Sequence, residues 1–169
     1  TLHDFHMRPQ AELEADLRRF AERRPIALVL PALFSELERP ALSQICDELE
    51  GADFVQQIVV GLDRADADQF AHARDYFARL PQRLTILWND GPRMQAIDHE
   101  LGELGLAPQE RGKGCNVWHC FGWLLADRRS EVVAIHDCDI TTYDRSLLSR
   151  LVYPVANPAF PYAFAKGYY

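Results

Sequence analysis

The sequence has little cysteine and no long apolar run. Its apolar runs, such as residues 26–30 and 132–135, stop well short of the roughly 18 residues that cross a bilayer, so we predict no transmembrane helix. The 4 cysteines lack the density and spacing of a secreted disulfide framework, which favours free thiols. The chain opens without the basic and apolar segments of a secretion signal, and we therefore predict a cytoplasmic location.

Positive charge is also scarce. The 18 lysines and arginines face 25 acidic residues, and the formal net charge of −7 disfavours nucleic acid or an anionic membrane as partner. A Gly-x-Gly-x-x-Gly motif is absent after every predicted strand, which disfavours a hydride-transferring Rossmann enzyme. With 169 residues, 48% of them hydrophobic, the chain is predicted to be one globular domain with a sizeable core.

Strand and helix patterns alternate along the chain. Short apolar runs predict buried strands, and apolar residues at helical spacing predict helices between them. The alternation predicts an α/β domain with a mostly parallel, Rossmann-like sheet flanked by helices, after a lead-in helix within residues 1–24. The predicted strands are 26–30, 57–62, 84–88 and 132–135, and the predicted helices are 9–23, 40–50, 66–80, 94–104 and a helix around 117–125.

Two aromatic segments carry further predictions. Residues 160–169 are predicted to form a strand that enters further structure. We therefore expect residues 1–169 to be a single domain at the N-terminal end of a longer enzyme, incomplete at its C-terminus, and a homodimer stays open as an alternative. The predicted core face of the helix around 117–125 consists of Trp118, Phe121, Trp123 and Leu124.

Two carboxylates follow the predicted fourth strand. Asp137 and Asp139 stand two residues apart, so both can point the same way from the strand end. Ligands of open α/β sheets bind at the carboxyl ends of the strands, and carboxylate oxygens suit Mg²⁺ or Mn²⁺ that also holds phosphate oxygens. The pair therefore predicts a metal–diphosphate site, although an Asp-x-Asp triplet alone is often only a solvated turn.

Lysine is confined to two positions, Lys113 and Lys166, and each stands beside a glycine. Lys113 lies in Arg-Gly-Lys-Gly directly before a predicted helix. A compact ammonium and the positive end of a helix together favour phosphate binding. Codon bias and an ordinary turn would produce the same pattern, and that alternative stays open.

These motifs resemble a known family. The similarity is carried by Leu-Pro-Ala-Leu at 30–33, Gly-Lys-Gly at 112–114, Asp-Cys-Asp-Ile at 137–140 and Ala-Lys-Gly-Tyr-Tyr at 165–169. In this order they resemble the GT-A-fold nucleotide-sugar glycosyltransferases, in particular the retaining glucosyl-3-phosphoglycerate and mannosylglycerate synthases. The resemblance implies Mg²⁺- or Mn²⁺-dependent transfer of a hexose from UDP-glucose or GDP-mannose to a small hydroxy acid such as 3-phosphoglycerate or glycerate.

The resemblance also implies site residues. Phe34 and Ser35 depart from the family, which has Asn or Asp and then Glu there, so either Glu36 or Glu38 could supply the family's glutamate. Catalytic residues and a third metal ligand are not assigned, because the matching family residues fall beyond this sequence. The implied nucleotide-sugar-binding residues are Ala32, Leu33, Glu36, Asp63, Lys113, Asp137 and Lys166, and the implied metal ligands are Asp139 and Asp137.

Three other classes of protein fit the sequence less well than this family. A sugar-phosphate nucleotidylyltransferase needs a Gly-rich, basic loop after its first strand. Residues 31–40 contain no glycine, and their one basic residue is Arg39. A glycoside hydrolase needs its two carboxylates on opposite sides of a sugar, whereas Asp137 and Asp139 stand two residues apart at one strand end. A zinc-binding structural or interaction module lacks familiar ligand spacing here. Its candidate ligands are Cys115, His119, Cys120, His136 and Cys138.

Overall fold

The structure, a computed structural model, describes residue 5 and residues 7–167. Four parallel strands form one sheet in the order β3-β2-β1-β4. The strands are β1 (Ile26–Leu33), β2 (Gln57–Asp63), β3 (Arg83–Trp88) and β4 (Val132–Ile135). The helices are α1 (Gln10–Ala21), α2 (Pro40–Glu50), α3 (Ala67–Phe77), α4 (Pro92–Glu103), α5 (Lys113–Asp127) and α6 (Arg145–Ala156), with a 3-10 turn at Phe34–Glu36. The predicted α/β class is confirmed.

The two faces of the sheet are covered differently. One face, which we call the four-helix face, packs against α1, α2, α3 and α6 in a core that contains strand residues such as Leu28 and Ile58. The opposite face, which we call the α5 face, uses the alternate strand residues, such as Val29 and Val59, against α5. The two central strands, β1 and β2, are therefore buried on both faces and largely apolar, as is typical of parallel sheets.

Sequence signals place the helix ends. Pro40 and Pro92 each stand in the first turn of their helix, where a missing N–H costs no hydrogen bond. Asp66 caps α3 by accepting from Gln69 N at 2.9 Å, and Asp144 caps α6 by accepting from Ser146 N at 2.7 Å. These two caps determine the residues at which α3 and α6 begin.

The first strand runs further than predicted and passes through Pro31. Its pairing with β4 ends at Val29 opposite Ile135, whereas its pairing with β2 continues to Leu33 opposite Asp63. Beyond Val29 one side of β1 has no strand partner among the described residues, so a proline can be accommodated there. This extension carries the end of β1 past the end of β4 and opens space beside it.

Two structural predictions were wrong. Trp118 and Phe121 are 44% and 36% exposed, because α5 turns its polar stripe with Asn116 and His119 toward the protein. Trp123 and Leu124 do pack on the α5 face. No strand forms over residues 160–167, which lie beside β4 without pairing to it, and residues 168–169 lie outside the described part of the chain.

None of the helices described for residues 5 and 7–167 combines the length and the hydropathy that crossing a bilayer needs.

Candidate functional site

A cavity of about 390 Å³ opens at the carboxyl ends of the strands. The ends of all four strands and the first turns of α5 contribute to its wall, as expected for a ligand site of an open α/β sheet. It is lined by Pro31, Ala32, Leu33, Glu36, Asp63, Arg64, Asn89, Asp90, Arg111, Gly112, Lys113, Cys115, Asn116, His119, Asp137, Cys138 and Asp139. Of the eight site residues predicted from the sequence, only Lys166 lies elsewhere.

The loop after β1 supplies the first wall. Glu36 accepts a hydrogen bond from the backbone N–H of Leu33 at 2.8 Å, which closes the 3-10 turn and holds the carboxyl group in the cavity. Burial raises the pKa of Glu36, and the nearby Asp139 and Asp137 carboxylates raise it further, whereas the Leu33 hydrogen bond acts in the opposite direction. Glu38 is exposed and lies outside the cavity, so Glu36 is the glutamate that the cavity contains.

A hydrogen-bonded network holds Asp63 at the end of β2. Its two oxygens accept from Asn89 Nδ2 at 2.8 Å and from Asn116 Nδ2 at 3.0 Å. Asn116 also donates to the carbonyl of Gly61 at 2.8 Å. A Cβ at Gly61 would overlap the Asn116 amide and lie 2.8 Å from Cys120 Sγ, so only glycine leaves room for this network. The two amide contacts thus hold the Asp63 carboxyl group in one orientation at the cavity wall.

The third wall combines charges of both signs. Lys113, at the first position of α5, forms an ion pair with Asp137 after β4. Asp139 lines the same cavity, while Cys138 between the two aspartates is buried in the core of the four-helix face. Both aspartates line the same cavity, as expected for two residues that can point the same way from the strand end.

The oxygen donors of this wall fit a hard divalent cation in part. Asp137 and Asp139 provide carboxylate oxygens, which Mg²⁺ and Mn²⁺ prefer. Across residues 5 and 7–167, however, no three His, Cys, Asp or Glu side chains come close enough to hold a metal ion by themselves. An ion bound at the two aspartates would therefore have to complete its coordination with phosphate oxygens, water or further ligands.

Lys166 is not brought to this cavity. It lines a second cavity, of about 760 Å³, between the outer edge of β4 and residues 163–167. The two cavities share Asp137. A contact between Lys166 and the nucleotide sugar stays a prediction, and the structure places this lysine at the neighbouring cavity.

Several lining residues escaped the sequence analysis. Asn89 and Asp90 directly follow β3, the same kind of strand-end position as that of Asp137 after β4. Asn116 lies one helical turn after Lys113, and that spacing marks the same face of α5. His119 follows one further turn along this face.

The alternative zinc module gains no support. The two candidate histidine ligands, His119 and His136, are both buried. His136 Nδ1 lies 3.1 Å from the Tyr143 hydroxyl, whereas His119 Nε2 lies 2.8 Å from Asp98 Oδ1. Burial raises the pKa of Cys120 to about 12. Within the described residues the five candidate ligands do not form one cluster.

Comparisons with known proteins agree with the resemblance seen in the motifs. The chain is 42% identical over 169 residues to glucosyl-3-phosphoglycerate synthase of Persephonella marina, a match that covers 100% of this chain and 42% of that protein. It is 32% identical over 170 residues to the protein of the same name from Methanococcoides burtonii, covering 100% of this chain and 41% of that protein. No family model matches the chain. The chain thus spans about two fifths of the length of these relatives.

A solved structure confirms the fold. It is the crystal structure of glucosyl-3-phosphoglycerate synthase from Mycobacterium tuberculosis in complex with Mn²⁺, UDP and glucosyl-3-phosphoglycerate. The superposition has a TM-score of 0.59 and 23% identity, and it covers 93% of this chain and 47% of that one. The predicted resemblance to glucosyl-3-phosphoglycerate synthases, in sequence and in fold, is confirmed.

Proposed function

We propose that this chain forms the nucleotide-sugar-binding part of a metal-dependent, configuration-retaining glycosyltransferase that transfers glucose from UDP-glucose to 3-phosphoglycerate. The observation that carries the proposal is the meeting of seven predicted site residues in one cavity at the carboxyl ends of the strands. The names of the two relatives and the ligands of the M. tuberculosis protein support the choice of substrates.

Each wall of the cavity has a task in this proposal. Asp63, oriented by Asn89 and Asn116, accepts a hydrogen bond from the base or ribose. Glu36 and the loop after β1 enclose the nucleoside. Lys113 and the N-terminus of α5 bring positive charge to the diphosphate. Asp137 and Asp139 hold Mn²⁺ or Mg²⁺.

The chemical contribution of these groups is electrostatic. Breaking the bond between the sugar and the diphosphate leaves additional negative charge on the leaving group, and the bound cation neutralises part of it. Lys113 adds a fixed positive charge at the same place, and its ion pair with Asp137 orients it before the ligand arrives. No residue of this chain is assigned to binding or activating the acceptor, and the chain spans about two fifths of the length of its relatives.

Thermal unfolding tests the proposal directly. UDP-glucose and GDP-mannose are added at a large excess, each with Mn²⁺ or Mg²⁺ and then with EDTA. At 100 times Kd, binding adds about 2.7 kcal/mol to the free energy of unfolding. For a chain of this length that raises Tm by roughly 5–10 °C. We expect the rise with UDP-glucose, and we expect EDTA to abolish most of it.

Asp139→Ala should lose the metal-dependent rise, because it removes a cation ligand at the cavity wall. Asp75→Ala is the matched control, since Asp75 is an exposed aspartate on α3 outside the cavity. An unchanged Tm with every nucleotide sugar, or a rise that Asp139→Ala retains in full, would contradict the proposal.

A further inference from the structure

Helix α4 is attached to the protein by polar contacts. None of its residues is buried, although it lies beside the cavity wall formed by α5. Its Asp98 carboxylate contacts two residues of that wall at once. Oδ1 lies 2.8 Å from His119 Nε2, and Oδ2 accepts from an Arg111 guanidinium nitrogen at 3.0 Å.

The contact between Asp98 and His119 is shielded from water. The His119 side chain is 3% exposed and that of Asp98 is 18% exposed. A charge-assisted hydrogen bond in such surroundings holds its partners in one geometry more firmly than the same bond at the surface. Asp98 is thus a fixed anchor, and the 63%-exposed Arg111 side chain is tied to it.

Arg111 lines the cavity two residues before Lys113. The intervening Gly112 has φ = 153°, a backbone conformation that residues with a side chain rarely adopt. Nothing within 4 Å would obstruct a Cβ at this position, so the backbone itself requires glycine here. The turn at Gly112 thus places Arg111 and Lys113 at the same wall of the cavity.

The charged residues around the cavity indicate which of its cations can bind an anionic ligand. Five carboxylates line it, against the three fixed cations Arg64, Arg111 and Lys113. Lys113 is already paired with Asp137. A guanidinium has five N–H donors, and the contact with Asp98 occupies one nitrogen of Arg111, so donors remain for an anionic ligand.

We propose that Arg111 is a second diphosphate-binding residue of this cavity, and that Asp98, fixed by His119, is the residue that positions it. The inference rests on the proposed function. The ligand chemistry is a phosphate group, and we assign it to the diphosphate of the nucleotide sugar, because Arg111 shares its loop and its wall with Lys113.

Titration calorimetry in the presence of Mn²⁺ tests the assignment with UDP, UMP, uridine and 3-phosphoglycerate. We expect Arg111→Gln to raise the Kd of UDP at least about tenfold, the size of a lost hydrogen bond between charged groups. The Kd of uridine should be the same for Arg111→Gln as for the wild type. Raising the salt concentration should weaken UDP binding less in the variant, because one ionic contact is missing.

Arg83→Gln is the matched control. Arg83 forms a comparable surface ion pair with Asp127, at 3.2 Å, and lies outside the cavity. Its loss should leave all four affinities unchanged. Asp98→Asn should raise the Kd of UDP by a smaller factor than Arg111→Gln and leave that of uridine unchanged, and Asp98→Glu should recover part of the loss. Circular dichroism confirms that each variant is folded.

The outcomes separate this inference from the proposed function. If the wild type does not bind UDP, the proposed function itself fails. If Lys113→Gln weakens UDP binding while Arg111→Gln does not, Arg111 is only a surface partner of Asp98 and the inference is wrong. If Arg111→Gln weakens binding of 3-phosphoglycerate but not of UDP, the phosphate belongs to the acceptor, and the assignment to the diphosphate is overturned.

Discussion

The two faces of the sheet differ in the kind of side chain that they bury. Among residues 5 and 7–167, the four-helix face buries thirty hydrophobic residues, whereas the α5 face buries six. Where the α5 face lacks apolar packing it has buried polar side chains, among them Asn116 and His119. Both of these side chains line the cavity.

This difference indicates that folding stability and ligand binding depend on opposite faces of the sheet. Apolar burial is non-directional and stabilises the domain in proportion to its area. Hydrogen bonds of buried polar groups contribute less net stability but fix geometry, and each needs its partner. We therefore expect the four-helix face to carry most of the folding free energy, and the α5 face to hold the side chains that contact the ligand.

The largest expected effect tests the packing of the two faces with the same substitution. Phe77 of α3 is fully buried on the four-helix face, whereas Phe121 of α5 is 36% exposed. Phe77→Ala should lower the free energy of unfolding by about 3–5 kcal/mol, because it leaves a cavity in a dense core. Phe121→Ala should cost less than about 1 kcal/mol. Urea denaturation measures both, and similar losses would remove the distinction between the faces.

A pH effect is expected from the buried histidine that follows β4, His136. Burial lowers the pKa of His136 from 6.5 to about 4, although the nearby Asp137 acts to raise it. Since the folded protein binds this proton less readily than the unfolded chain, its stability contribution is complete above pH 6.5 and is lost as the pH falls toward 4. The loss from this group is about 3 kcal/mol.

His136→Gln should therefore flatten the pH dependence of the free energy of unfolding between pH 6.5 and 4. His99 is the matched control, since its side chain is 78% exposed. His99→Gln should leave the wild-type pH dependence in place. An equally steep loss of stability in His136→Gln would show that other groups cause it.

A smaller effect is expected from glycine substitutions on the α5 face. Gly61→Ala should lower the free energy of unfolding by about 1–3 kcal/mol, because its Cβ would displace Asn116 and crowd Cys120. Gly122→Ala, in α5 with nothing within 4 Å of its Cβ, should instead add up to about 1 kcal/mol of helix stability. Thermal denaturation compares the two. A neutral Gly61→Ala would mean that Asn116 moves freely, against the fixed network described above.

The smallest effect concerns thiol reactivity, which reports local opening of each face. Burial raises the pKa of both Cys46, on the four-helix face, and Cys120, on the α5 face, to about 12. Both should resist iodoacetamide at pH 8, whereas the partly exposed Cys115 should react first. Mass spectrometry of the peptides over time gives each rate. We expect Cys120 to react before Cys46, and the reverse order would contradict a less firmly packed α5 face.

Much of the site could be predicted because strand ends are visible in the sequence. Asp63, Asp137 and Asp139 directly follow apolar runs, and parallel strands bring such positions to one edge. Asn89 follows β3 in the same way, but it belongs to none of the motifs and was not predicted. The choice between Glu36 and Glu38 needed the structure, because it depends on a single 3-10 turn that the Leu33 hydrogen bond closes.

The sequence by itself determined the alternation of strands and helices, since apolar runs, prolines and capping residues act locally. It also determined the resemblance carried by its short motifs. Only the tertiary structure decided which side of α5 is buried, because Trp118 and Asn116 both lie on plausible helix faces and the choice depends on the neighbouring sheet. It likewise placed Lys166 beside the edge of β4 and not in the cavity, since long-range packing positions a segment that forms no regular element of its own.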